Sequence, residues 1–124
     1  MKHTLVTGAS GLIGQAVVRT LLRRGVAVHA TARKAVVPNL AHAEYDPALL
    51  LQTSGDLDTD HEFAYSLLRQ AETSAVIHCA ARISGVAGQL TDPAFAVTSN
   101  LCMTARLLEA AAKAEPQPKR FVFL

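Results

Sequence analysis

The sequence predicts an α/β fold, an open, doubly wound parallel sheet with strand order 3-2-1-4-5. Three observations carry that expectation. Short apolar runs alternate along the chain with segments whose apolar residues recur at helical spacing. The first run meets the first helical segment through a glycine-rich turn, Thr7-Gly8-Ala9-Ser10-Gly11-Leu12-Ile13-Gly14. The chain has 124 residues, of which 50% are hydrophobic and 18% charged, enough for one domain, residues 1–124, and one core.

Leu5-Val6 forms the apolar push of a first strand. A helix should follow from residue 12 to 24, because Ile13, Ala16, Val17, Thr20 and Leu21 recur with a 3.6-residue period and define one buried face. Arg19, Arg23 and Arg24 suit the negative end of its dipole, and Gly25 is placed to stop it. Residues 26–32 read as a second strand, ending at Arg33-Lys34. Strand, helix and strand together make a unit of roughly 30 residues, the mononucleotide-binding half of a Rossmann-like sheet.

Pro38-Asn39 suggests a loop, and Pro47 a further turn. Residues 49–53 are short and apolar, a third strand. Thr59-x-x-Glu62 before Phe63 has the form of a capping box, opening a helix over 60–71 that would bury Phe63, Ala64, Leu67, Leu68 and Ala71. Residues 74–80 are nearly all apolar, as a central strand covered on both faces should be. Asp92-Pro93 reads as an N-cap and first helical residue of a long helix reaching about residue 115, which Pro116 and Pro118 end. Residues 120–124 begin a fifth strand, so the sheet is read as truncated in or after strand five. Right-handed crossovers are expected throughout.

Composition narrows the function. A net charge of only +2 gives no case for nucleic acid or an anionic membrane surface as partner. No apolar run approaches the roughly 18 residues of a membrane span, and no signal peptide fits before the glycine turn. Cys79 and Cys102 lack metal-ligand or redox spacing and fall in segments read as buried. A cytoplasmic, reduced protein is expected, with no metal.

The glycine turn is where chemistry enters. A strand feeding a helix leaves unpaired N–H groups at the helix start, where the dipole also favours an anion. Glycine there removes the Cβ that would hold a pyrophosphate away from the backbone. Gly8, Ser10, Gly11, Leu12, Ile13 and Gly14 are therefore read as a dinucleotide-phosphate cradle. The plain alternative is a glycine-rich turn that binds nothing. The spacing Gly8-x-x-Gly11-x-x-Gly14 resembles the short-chain dehydrogenase/reductase superfamily, and is similar to its extended branch of NAD(P)-dependent epimerases, dehydratases and reductases.

An NAD site usually offers Asp or Glu about 20 residues past the glycines, to accept from the ribose 2′-OH. Here Ala32 and Arg33 stand instead, with a guanidinium able to bind a 2′-phosphate bidentately. The run from His29 to Arg33 also resembles dihydroflavonol-reductase-like enzymes, whose arginine faces that phosphate. NADP is the expected cofactor and NAD stays open; the alternative is a solvated Arg33-Lys34 pair. The resemblance further implies that Asp56 accepts from the exocyclic amine of adenine and that Leu57 contributes its backbone; alone, Gly55-Asp56 is a turn. Ile77-His78-Cys79-Ala80-Ala81 resembles the family's apolar-His-x-Ala-Ala run, whose small residues Ala80 and Ala81 let the chain pass against the cofactor. His78 is read as a hydrogen-bonded structural residue and not a base. Asn100 matches a helix asparagine that supports the family's active site; otherwise it is a polar residue on an exposed face.

The family's catalysis uses a Ser or Thr after strand five and then a Tyr-x-x-x-Lys pair. Tyr45 and Tyr65 are followed four places later by Leu49 and Arg69, so no catalytic residue is assigned within the chain. As given, it is expected to turn over no substrate of the family. The reading is thus the NADP-binding portion of an oxidoreductase or epimerase-like enzyme, from a truncated product or fragment. The alternatives are a short non-catalytic dinucleotide-binding or sensor module and a phosphate-binding domain for another nucleotide. A small-molecule dinucleotide is the expected partner, and the open edge of strand five leaves room for a homo-oligomer.

Overall fold

A computed structural model describes residues 1–34, 45–83 and 85–124. The loop expected at Pro38-Asn39 lies outside the described residues. Five parallel strands make one sheet in the order β3-β2-β1-β4-β5: β1 (His3–Thr7), β2 (Val28–Ala32), β3 (Leu50–Ser54), β4 (Thr73–His78) and β5 (Arg120–Phe123). The helices are α1 (Leu12–Arg23), α2 (Phe63–Gln70), α3 (Val86–Thr91) and α4 (Phe95–Lys113). The alternation of strand and helical periods therefore gives the expected architecture.

Strand periodicity divides the core in two. Side chains two residues apart share a face, so Leu5 and Val6, both at 0% exposure, go to opposite sides of β1. Leu5 joins Phe63, Leu67, Met103 and Leu107 under α2 and α4. Val6 joins Val18, Leu22, Val28 and Ala30 under α1. Helices cover both faces of the central strands, and the C-terminal edge of the sheet is left free between them.

Several local expectations give way to tertiary contacts. The buried face of α1 is Gly14, Val18 and Leu22, with Val17 and Leu21 half-buried, whereas Ile13, Ala16 and Thr20 are exposed. Gly14 sets that rotation: a Cβ on it would overlap the Gly8 carbonyl oxygen, so the helix lies with its glycine pressed on the turn. Gly25, at φ 71°, ends the helix with the main-chain conformation glycine adopts most readily.

The capping box at Thr59 and Glu62 does not form. The Asp56 carbonyl accepts from the Asp60 amide, and the Asp60 carboxylate accepts from the Glu62 amide, so consecutive turns take up these groups and α2 starts at Phe63. Phe63, Ala64 and Leu67 are buried as expected, but Leu68 and Ala71 are only half-buried.

Asp92-Pro93 likewise opens no helix. Asp92 closes α3, a short helix with no buried residue, and its carbonyl accepts from the Phe95 amide in a turn that precedes α4. Cys79 and Cys102 are half-buried free thiols rather than core residues. Strands β2 and β4 are shorter than expected, and β3 is shifted by one residue to end at Ser54.

Candidate functional site

The glycine turn joins β1 to α1 at the free edge of the sheet. Gly8 has φ 66°, and a Cβ there would come 2.6 Å from the Ala80 main-chain nitrogen and 2.7 Å from its Cα. Gly8 and Gly14 are thus required by the packing of this chain on itself. Gly11 is different. It is exposed, its φ of −75° and ψ of 168° suit any residue, and the nearest atom to an added Cβ is the Gly8 carbonyl oxygen at 3.3 Å. The protein itself asks little for glycine at that position; a group approaching the backbone from outside would.

Gly11 is also the N-cap of α1, and no side chain caps this end. The first-turn N–H groups have no intrahelical acceptor and point out of the helix end, where Leu12 and Ile13 border a cavity of about 510 Å³. A carboxylate capping the helix would compete for those amides, and no acidic residue stands in its first turn. The residues present therefore fit an anionic group such as a pyrophosphate.

The cavity brings together residues from every strand end. Gly8, Ser10, Gly11, Leu12, Ile13 and Gly14 line it from the glycine turn, Arg33 from the end of β2, Asp56 and Leu57 from the loop after β3, and Ala80 and Ala81 from the end of β4. All the sequence-selected binding residues thus share one cavity. Asn100 does not line it but stands behind its wall. Its Oδ1 accepts from the Arg82 N–H at 2.6 Å and its Nδ2 donates to the Arg82 carbonyl at 3.0 Å, which fixes the main chain just after Ala81.

Asp56 is more heavily engaged than its sequence context suggests. Its Oδ1 accepts from the Asp58 amide at 2.9 Å, and its Oδ2 lies 3.0 Å from Nη2 of Arg82. Partial burial works to raise the carboxyl, but the Asp58 amide and the charges of Arg82 and Arg33 outweigh it and hold Asp56 below its usual value.

His78 is committed to structure. Thr104 Oγ1 donates to the Asn100 carbonyl at 2.9 Å, so it must accept from Nε2–H of His78 at 3.1 Å. Nδ1 then accepts from the Thr7 hydroxyl at 2.6 Å, and that hydroxyl in turn accepts from the Ala80 amide at 3.2 Å. The neutral ring has both nitrogens occupied, and burial pushes its pKa down. It has no free face for a substrate proton.

Sequence reasoning missed Arg82 and Phe63, which also line the cavity. Phe63 supports Gly55, where a Cβ would strike its ring. Arg82 had one available signal, a basic residue just beyond the C-terminal end of a central strand, where ligands of open α/β sheets bind.

Comparison with known proteins bears on the fold and the family. Residues 4–124 match the NAD dependent epimerase/dehydratase family. Among solved structures, a UDP-glucose 4-epimerase from Thermotoga maritima with UDP-glucose is 26% identical with a TM-score of 0.74, over 98% of this chain and 37% of that one. MoeE5 in complex with UDP-glucose and NAD is 30% identical with a TM-score of 0.73, over 98% of this chain and 35% of that one. The UDP-glucose 4-epimerase of Thermus thermophilus in complex with NAD is 29% identical with a TM-score of 0.67, over 88% of this chain and 33% of that one. The chain spans about a third of the length of these structures. No curated protein matches it. Among the described residues, no helix is long and apolar enough to cross a membrane, and no cluster of His, Cys, Asp or Glu could hold a metal ion. Sheet order, glycine turn and family match together lead to one conclusion: the chain belongs to the NAD dependent epimerase/dehydratase family.

Proposed function

We propose that the cavity binds the adenine–ribose–pyrophosphate portion of a nicotinamide dinucleotide, NADP in preference to NAD. The chain would then be the cofactor-binding portion of an oxidoreductase or epimerase-like enzyme acting on a carbonyl or alcohol. One observation carries the reading: an uncapped helix start opens on the cavity at Gly11, the glycine of the turn where an added Cβ would meet the Gly8 carbonyl oxygen at a tight 3.3 Å but not overlap the chain, as it would at Gly8 and Gly14. The glycine-turn amides would hold the pyrophosphate. The Asp56 carboxylate would accept from the adenine amine, with the Leu57 main chain beside it. Ala80 and Ala81 leave room along the β4 end, and Asn100 steadies the main chain behind them. When bound, the nicotinamide supplies the hydride acceptor or donor. MoeE5 and the Thermus thermophilus enzyme are complexes with NAD, which supports the dinucleotide class. We read the protein as cytoplasmic, a compartment in which free thiols such as Cys79 and Cys102 persist.

The preference for NADP rests on Ala32 and Arg33. Arg33 is exposed at the cavity edge, and its charge is felt at Asp56 across the nucleotide end. Arg33→Ala should weaken NADP by roughly 1.5–3 kcal/mol, the range for a hydrogen bond to a charged group, and leave NAD nearly unchanged. Calorimetric titration of both dinucleotides into both proteins reads this directly. Equal losses for NAD and NADP would remove Arg33 from the 2′-phosphate.

A further inference from the structure

We infer that Arg82 is a positioning residue for the adenine end of the cavity, fixing the carboxylates of Asp56 and Asp58 and with them the loop between β3 and α2. The inference deepens the nucleotide-binding reading and rests on it.

A single guanidinium reaches both acids. Nη2 lies 3.0 Å from Asp56 Oδ2 and Nε lies 3.2 Å from Asp58 Oδ2, with all three side chains largely withdrawn from solvent. The planar fork of arginine can meet two acceptors at once, whereas an ammonium meets them as a point charge. The main chain of Arg82 is itself held, donor and acceptor both, by Asn100 on α4. The same helix grips the opposite loop: Arg106 Nη1 donates to the Leu57 carbonyl at 3.2 Å and to the Asp58 carbonyl at 2.6 Å. Helix α4 thus holds both walls, and Arg82 ties them across the nucleotide end.

This arrangement has a consequence for the base. Oδ1 of Asp56 is taken by the Asp58 amide, and Arg82 fixes the direction of Oδ2. A carboxylate oxygen accepts more than one hydrogen bond, so the exocyclic amine of adenine can be accepted while the ion pair stays intact. Without Arg82, the carboxylates of Asp56 and Asp58 lose the guanidinium they share. The cations acting on Asp56 are then reduced to Arg33 at the end of β2, with the amides of Asp58 and Thr59 as the remaining donors.

The test titrates AMP, which carries the base but neither a 2′-phosphate nor a nicotinamide, into the parent, Arg82→Ala and Arg82→Lys across the carboxylate titration range. Alanine should weaken AMP about ten-fold or more, and lysine should restore only part of the loss. The acid limb of AMP affinity should lie at higher pH in the alanine variant than in the parent, because Asp56 is less stabilised as the anion. AMP affinity at the parent level in Arg82→Ala overturns the inference. So does a loss with an unmoved acid limb, which a collapsed loop would give. A parent that binds neither AMP nor either dinucleotide overturns instead the nucleotide-binding reading beneath it.

Discussion

Gly11→Val is expected to abolish dinucleotide binding and leave the fold intact. The backbone at Gly11 is extended, which valine tolerates, and only the Gly8 carbonyl oxygen, at 3.3 Å from an added Cβ, must give slightly. Valine is a poor N-cap, so a stability loss of at most about 1 kcal/mol is the expected cost. The branched side chain would stand at the helix start, over the amides that would meet the pyrophosphate. Glycines 8 and 14 cannot serve as this test. A Cβ at either runs into main-chain atoms, so their variants would lose binding by losing structure. Thermal melts and calorimetric titration of NAD and NADP, on parent and variant together, separate the two causes. A folded Gly11→Val protein that binds as the parent does would refute the cradle.

Acid should begin to destabilise the protein before its carboxylates titrate. His29 is at 0% exposure; burial, helped by the charge of His3, lowers its pKa from 6.5 to about 4. Thr53 Oγ1 donates to Gln70 Oε1, so it accepts from Nε2–H of His29 at 2.9 Å, and among the described residues Nδ1 has no partner. The folded state therefore keeps His29 neutral, while the unfolded chain takes up a proton below about pH 6.5. The unfolded state binds more protons in that window, so stability is full above it and falls as pH drops toward 4. The total is on the order of 3 kcal/mol, from about 1.4 kcal/mol for each unit of pKa difference. His78, lowered by burial, adds in the same direction. Asp56, whose pKa is depressed, contributes stability that is lost only below the ordinary carboxylate value of 3.8, so the two effects separate on the pH axis. Urea midpoints at about pH 7.5 and about pH 4.5 measure the fall, and His29→Gln should reduce it. Midpoints that coincide at the two pH values, in a parent that unfolds cooperatively, would show that His29 is not held neutral.

The sequence by itself determined the sheet, its order and the location of the cavity. These follow from signals each residue carries locally: apolar runs of strand length, helical periods between them, and glycines at a turn where φ is positive or a Cβ has no room. Asp56, Ala80 and Ala81 were singled out only through the family resemblance of their motifs, and the structure lines one cavity with them because the ends of the parallel strands converge on one edge. Tertiary structure alone decided the rest. Helix α1 rotated to bury Gly14, a residue with no side chain to register in a hydrophobic period, since its contact with the Gly8 carbonyl fixes the face that meets the sheet. The apparent caps at Thr59 and Asp92 yielded to neighbouring turns that claimed the same amides. Arg82 acquired its two acids 26 and 24 residues earlier in the chain, a pairing set by where β3 and β4 end in space. Local pattern reports what a residue asks of its own turn of chain. Which distant surface answers it is fixed only when the strands have taken their order.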